Sequence, residues 1–190
     1  MTILRNHSLQ ALNTFGISAK ARYFVEAHTE AELRAAFQQN ITPLLVLGGG
    51  SNMLLTQDFP GLVVKNNLLS KEIVEETSSH VLVRAGAGEN WHEFVLWTLD
   101  RNLGGIENLS LIPGTMGAAP IQNIGAYGVE LRDVFHRLEA MEIATGEIRT
   151  FTAADCQFGY RNSVFKHELK GKYCITRVYL QLTKADHRIN

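Results

Sequence analysis

Short apolar runs punctuated by turn residues alternate along the chain with two segments of helical spacing, the pattern of an α+β or mixed α/β protein. Ala21–Ala27 (ARYFVEA) reads as a strand. Thr29–Asn40 (TEAELRAAFQQN) reads as a helix in which Thr29 is the N-cap and Glu32, three residues on, forms a capping box. Leu44–Leu47 (LLVL) is a buried strand. After three glycines come Met53–Thr56, the turn Gln57–Gly61, then Leu62–Lys65, Lys71–Glu76 and His80–Gly88, all strand-like apart from that turn. A second amphipathic helix is predicted over Asn90–Asn102, where Trp91, Phe94, Val95, Trp97, Thr98 and Leu99 recur near helical spacing. Arg137–Phe151 reads as a hairpin about Thr145–Gly146, and Tyr173–Thr183 closes the pattern as a last strand. No repeat, low-complexity tract or long linker interrupts it.

Composition narrows the class of protein. At 190 residues the chain makes one large domain or two small lobes with a real core. Its 45% hydrophobic content, 19% charged content and net charge of −1 are those of an ordinary soluble globular protein, without the basic excess that nucleic acid or an anionic membrane would call for. Nowhere do 18 apolar residues follow one another, and the first residues hold no apolar run of signal-peptide length, so a cytoplasmic protein is expected. Cys156 and Cys174 have neither CxxC spacing nor a nearby His/Cys cluster, which predicts two buried thiols and no metal.

Two glycine-rich segments carry the candidate chemistry. In Leu44–Asn52 (LLVLGGGSN), Gly48 and Gly50 fit the start of a dinucleotide fingerprint, but Met53 takes the place of its third glycine, and Pro60 and Gly61 arrive before a helix of useful length could form. No Gly-Lys-Ser/Thr follows, so a Walker loop fails as well. The N–H groups from Gly49 through Asn52 could instead form an anion nest with no helix behind it; a glycine-rich connection that binds nothing is the plain alternative. The second segment, Asn108–Gly128 (NLSLIPGTMGAAPIQNIGAYG), has few large side chains and almost no charge. Linkers are polar or charged, so this is no solvated linker, and small residues permit close backbone approach to a flat, partly apolar ligand. Two such segments in one chain point to a large cofactor gripped along its length; a tightly packed loop under a sheet is the alternative.

The segments Asn13–Ile17 (NTFGI), Leu47–Asn52 (LGGGSN), Gly86–Val95 (GAGENWHEFV), Ile106–Glu130 (IENLSLIPGTMGAAPIQNIGAYGVE) and Phe158–Lys166 (FGYRNSVFK), in this order, closely resemble the UDP-N-acetylenolpyruvoylglucosamine reductase (MurB) family of bacterial peptidoglycan-precursor enzymes. The resemblance spans nearly the whole chain. It implies an FAD-binding domain of the vanillyl-alcohol-oxidase (PCMH) type, an α+β fold of two lobes. In that reading residues 1–18 are an N-terminal segment, 19–184 the FAD-binding domain with its lobe boundary near 70–80, and 185–190 the start of a missing C-terminal substrate domain.

By the same resemblance, Gly48, Gly49, Gly50, Ser51 and Asn52 hold the diphosphate of a non-covalent FAD. Pro113, Gly114, Gly117, Ala118, Asn123, Gly125, Ala126, Gly128 and Ile175 line the rest of the cofactor. The implied reaction is a two-stage reduction in which NADPH reduces the flavin, and the reduced flavin passes hydride to C3 of the enolpyruvyl ether of UDP-N-acetylglucosamine. Negative charge develops at C2 and spreads into the neighbouring carboxylate. Arg161 is the implied catalytic and substrate-binding cation, suited by its permanent charge and planar fork; Tyr127 is a further substrate contact. Family members are substantially longer, and the segment beyond this chain's length supplies the serine that protonates C2, a role for which Ser163 stands in the wrong motif. Full reductase activity is therefore not expected from this chain alone, and a separate C-terminal domain is a possible partner. Two other readings stay open: a different flavoenzyme of the same fold, with His92 as the nearest residue for covalent flavin attachment, and a non-catalytic nucleotide-binding module.

Overall fold

The computed structural model describes residues 1–184; the expectation for 185–190 lies outside the described residues. The first sheet is built from β1 (Leu4–Ser8), β2 (Lys20–Ala27), β3 (Leu44–Leu47) and β4 (Phe59–Asn66), in the order β1-β2-β4-β3, with β2, β3 and β4 mutually parallel and β1 antiparallel at the edge. Helix α1 (Glu30–Phe37) makes the crossover from β2 to β3. Its start is fixed chemically: Thr29 Oγ1 accepts from Glu32 N at 3.2 Å, and Glu32 Oε2 accepts from His28 N at 2.8 Å. Leu33, Ala36 and Phe37 of α1 pack on Val25, Leu62 and Val64 of one sheet face, while Leu9, Phe24, Leu47 and Val63 pack on the other.

Two sequence expectations change here. Met53–Thr56 forms no strand: Met53 and Leu55 pack against the cluster of Leu9, Phe24 and Val63 by their side chains, without pairing on the outer edge of β3. The predicted turn Gln57–Gly61 gives way at its end to β4, which starts at Phe59. Pro60 is tolerated because it falls at the beginning of the strand, and Gly61 is required because a Cβ there would lie 1.8 Å from the Pro43 carbonyl oxygen. The segment 1–18 also holds β1, whose polar sequence LRNHS gave no apolar signal; it is an edge strand, largely exposed.

The second sheet contains β5 (Lys71–Glu76), β6 (His80–Gly86), β7 (Leu103–Gly104), β10 (Phe135–Glu142), β11 (Ile148–Thr152) and β12 (Tyr173–Lys184). Its order is β11-β10-β12-β6-β5, antiparallel throughout, with β7 on the end of β12. Helix α2 (Trp91–Leu99) is capped by Asn90 Oδ1, which accepts from Glu93 N at 3.0 Å, and buries Trp91, Phe94 and Val95 against Val83, Leu138 and Val178. It ends short of the predicted Asn102, which takes a left-handed φ of 58°. Between the helix and β10 lie α3 (Ala119–Gln122) and a ribbon of β8 (Gly125–Ala126) and β9 (Val129–Glu130). After β11 comes α4 (Ala153–Cys156), whose capping hydrogen bonds from Thr152 hold the Asp155 carboxyl below its usual range.

The two sheets are tied by polar contacts. Asn66 Nδ2 donates to Ile175 O at 2.9 Å, Arg34 Nε to Gly146 O at 3.0 Å, and Arg177 bridges Glu30 at 2.5 Å and Glu139 at 2.8 Å. Cys156 and Cys174 are free and buried, and burial pushes each thiol up to about 12. Among the described residues no group of His, Cys, Asp and Glu could hold a metal ion, and no helix is long and apolar enough to cross a membrane.

Candidate functional site

At the end of β3 the chain leaves the sheet through Gly48–Asn52 and meets the second glycine-rich segment directly. A Cβ on Gly49 would lie 3.0 Å from the Gly114 Cα, and one on Gly48 would lie 2.7 Å from Thr115 Oγ1. Gly50 is demanded twice, by a φ of 65° and by the Leu12 carbonyl oxygen, 1.9 Å from where its Cβ would stand. The glycines therefore let two loops touch, as well as leaving backbone bare toward solvent.

That backbone is unpaired. Among the described residues, no hydrogen bond uses the N–H of Gly49, Gly50, Ser51, Asn52, Gly114 or Thr115. The loops around them are nevertheless held firmly: Trp91 N donates to Gly114 O, Met116 N to Glu89 O, Gly117 N to Ala87 O and Thr14 N to Gly50 O, at 2.8 to 3.2 Å. Unpaired amide donors in loops held this way are the groups from which an anion nest is built. They border a cleft of about 370 Å³, within the range of small-molecule sites. The cleft's apolar wall comes from Val46, Trp91, Ile112, Ile121 and Ile124, and its cations are Arg161 and Lys166.

Of the residues singled out in the sequence, Gly48, Gly49, Gly50, Ser51, Asn52, Pro113, Gly114, Ala118 and Arg161 line this cleft. Arg161 sits at φ 51° on the turn closed by reciprocal backbone hydrogen bonds between Gly159 and Asn162. Its carbonyl accepts from Lys166 Nζ at 2.7 Å, and its exposed guanidinium joins no ion pair among the described residues.

The others stand elsewhere. Gly117 packs on Ala87, where a Cβ would come within 2.6 Å of the Ala87 Cβ. Gly125 and Ala126 form β8, with Tyr127 and Gly128 at the ribbon's tip and Tyr127 74% exposed. Ile175 is buried in β12. Asn123, fully buried at φ 42°, donates to Glu130 Oε2 at 3.1 Å and Gly159 O at 3.0 Å and accepts from Arg132 N at 3.1 Å. It ties the small-residue segment to the turn bearing Arg161. Asn123→Ala should therefore cost about 2–3 kcal/mol of folding stability, read from denaturant melts, since it removes three hydrogen bonds made by a buried side chain; an unchanged midpoint would remove it as the tie.

His92 receives the Leu111 N–H at its Nδ1 (3.3 Å), also contacts Ser110 Oγ, and is not among the residues lining the cleft. Ser163 is buried and donates to Ile121 O at 2.8 Å. Sequence reasoning missed Thr115, Trp91 and Lys166 as lining residues. Thr115 could have been found from its place between Gly114 and Gly117. Trp91 reads as core, and its indole indeed donates to Leu109 O at 2.7 Å.

A two-sheet α+β fold with an amide nest beside an apolar cleft defines a nucleotide-cofactor-binding domain. Residues 21–152 match the FAD binding domain family, and the chain belongs to it; FAD is its cofactor. Among curated relatives, the UDP-N-acetylenolpyruvoylglucosamine reductase of Flavobacterium johnsoniae is 51% identical over 191 residues, covering 100% of this chain and 57% of that protein. Its counterpart in Pseudomonas fluorescens is 51% identical, covering 95% and 54%. The chain thus spans about half the length of the curated relatives it matches. The crystal structure of the same reductase (MurB) from Thermus caldophilus superposes with a TM-score of 0.77 at 25% identity, over 97% of this chain and 63% of that one. A solvent-stable cholesterol oxidase, 14% identical with a TM-score of 0.63 over 96% of this chain and 38% of that one, shares the fold alone. The fold is the two-lobed PCMH-type FAD-binding fold.

Proposed function

We propose that this chain is the flavin-holding part of a cytoplasmic reductase that converts the enolpyruvyl ether of UDP-N-acetylglucosamine to UDP-N-acetylmuramate, with FAD bound non-covalently and NADPH as hydride donor. The observation that carries the reading is the set of unpaired N–H groups at Gly49–Asn52, Gly114 and Thr115 along one cleft. Such donors fit the diphosphate of FAD, and the glycines leave no Cβ in its way. When bound, FAD supplies the hydride carrier between the nicotinamide and the enolpyruvyl carbon.

The chain's own residues do the rest. The amides of both loops hold and orient the diphosphate, and the isoleucines and Trp91 exclude water from the apolar wall. Arg161 brings an unneutralised cation to the lining of the cleft, where it would stabilise negative charge developing beside the substrate carboxylate; a charge held in place where water is excluded contributes about 3–4 kcal/mol. Non-covalent attachment is supported by His92, whose Nδ1 already accepts a backbone N–H. Ser163 is committed to the Ile121 carbonyl, so the acid that protonates C2 is assigned to the additional length of the relatives, together with most of the sugar-nucleotide grip. Tyr127, exposed at the tip of its ribbon, is available to substrate from that side.

The test is an absorbance spectrum after incubation with FAD and gel filtration. Flavin bands at one FAD per chain, with all of the flavin released on acid precipitation, are expected; a colourless protein would remove the reading, and flavin retained in the precipitate would make it covalent.

A further inference from the structure

The ammonium of Lys65 donates to the carbonyl of Gly48, the residue that opens the first glycine loop. Lys65 lies on β4 in register with Leu47 of β3 on one side and Glu26 of β2 on the other. A trans peptide points its C=O and N–H in opposite directions. A Gly48 carbonyl held by Lys65 therefore turns the N–H of Gly49 away from that side chain. A cation on the carbonyl also polarises the peptide and strengthens its N–H as a donor. Burial holds the Lys65 ammonium below its usual range, with the Glu26 carboxylate opposing that shift. Glu26 itself lies 3.6 Å from His28 Nε2, and no ion pair of the described residues includes Lys65. A half-buried cation whose described hydrogen bond ends on a neutral carbonyl keeps charge to offer a nearby anion.

We propose that Lys65 is a positioning residue for the flavin diphosphate: it fixes the Gly48 peptide so that the Gly49 N–H faces the cleft, and it sets a positive charge behind the nest. The role rests on the FAD reading above. No glycine-loop motif announces it, since Lys65 stands thirteen residues beyond Asn52 in sequence and reaches the loop only through the pairing of β3 with β4.

The experiment measures the dissociation constant of FAD by quenching of its fluorescence, at low and high salt, for the wild-type chain, K65M and K65R, with circular dichroism and melting of each ligand-free protein. K65M keeps the apolar stem but loses the charge; FAD should bind about 10-fold more weakly or worse, with a flatter salt dependence. K65R should recover affinity to within about 3-fold of wild type, together with the salt slope. A purely structural lysine would lower the melting temperature without moving that slope. K65M that binds FAD like wild type, or K65R as weak as an equally folded K65M, overturns the proposal. A wild-type chain that binds no FAD removes the underlying reading as well. Should K65M not fold, E26Q decides: loss of the opposing carboxylate should tighten FAD binding about 3-fold, and unchanged or weaker binding overturns the assignment.

Discussion

Replacing Gly50 with alanine is expected to abolish FAD retention and to lower folding stability by about 3 kcal/mol, a drop of roughly 6–12 °C in melting temperature for a chain of this size. Two independent causes act at this position. An L-residue at φ 65° carries about 1–2 kcal/mol of left-handed strain. The new Cβ would also stand 1.9 Å from the Leu12 carbonyl oxygen, 2.9 Å from the Leu12 carbonyl carbon and 3.0 Å from the Asn13 Cα, all backbone atoms that no rotamer change can move. Either the loop or the segment around Leu12 has to shift, and the loop carries the unpaired amides of Gly49, Ser51 and Asn52 on both sides of the substitution. Loss of two charge-assisted amide contacts weakens an anion about 100-fold or more. Gly128→Ala is the matched control: its φ is 79°, but nothing lies within 4 Å of the added carbon, so it should show the strain alone and keep FAD. Fluorescence titration and thermal melting of both variants check the pair. Tight FAD binding by Gly50→Ala would mean that the loop is not the diphosphate site.

Arg161→Ala is expected to lower turnover of the enolpyruvyl substrate by about 10²–10³-fold while leaving the flavin spectrum and the melting temperature in place. The guanidinium is exposed and joins no described ion pair, so its removal breaks little of the fold. The turn that carries it is anchored by groups other than its side chain, through Asn123 on the Gly159 carbonyl and Lys166 on the Arg161 carbonyl. What disappears, on the proposed function, is a cation lining the cleft in which the substrate carboxylate would gain electron density. Because the chain spans about half of its relatives' length, NADPH consumption is followed first with the chain alone and then with the remaining part of the Flavobacterium johnsoniae relative added as a separate polypeptide. Turnover should appear only in the second case and vanish with Arg161→Ala. Arg161→Lys should recover part of it, since a point charge lacks the planar fork. Undiminished turnover by Arg161→Ala would place the charge stabiliser elsewhere.

Local chemistry was legible in the sequence wherever a short-range signal decides the outcome. The helix starts at Thr29 and Asn90 are side-chain caps that act within three residues; Thr29 was read as one, and Asn90, read as the first residue of its helix, proves to be the cap just before it. The hairpin about Gly146 and the strands with apolar alternation followed from the same local rules. The triple glycine and the small-residue segment announced a backbone that must approach something closely, and the order of motifs resembled one family. Met53–Thr56 misled because an apolar run can bury its side chains without pairing its backbone: Met53 and Leu55 pack on the first-sheet core while the outer edge of β3 stays open, and which of the two happens is not decided locally. β1 was invisible for the converse reason: a polar edge strand is recruited by backbone hydrogen bonds to β2, which leave no mark in side-chain pattern.

By itself, then, the sequence determined most of the segments that form elements and which backbone lacks side chains, and through a family resemblance it offered Arg161 as a candidate cation. Only the tertiary structure decided what these meet. It set Gly49 against Gly114 and Gly48 against Thr115, so that two distant loops form one row of donors. It sent Gly117 and Asn123 into packing and hydrogen-bonding work outside the cleft lining, and it brought the Lys65 ammonium beneath the glycine loop through strand pairing. The physical reason is one of range: propensity, capping and turn chemistry act over a few residues, whereas the direction of an N–H and the neighbour of a Cβ are set by close packing between segments far apart in the chain.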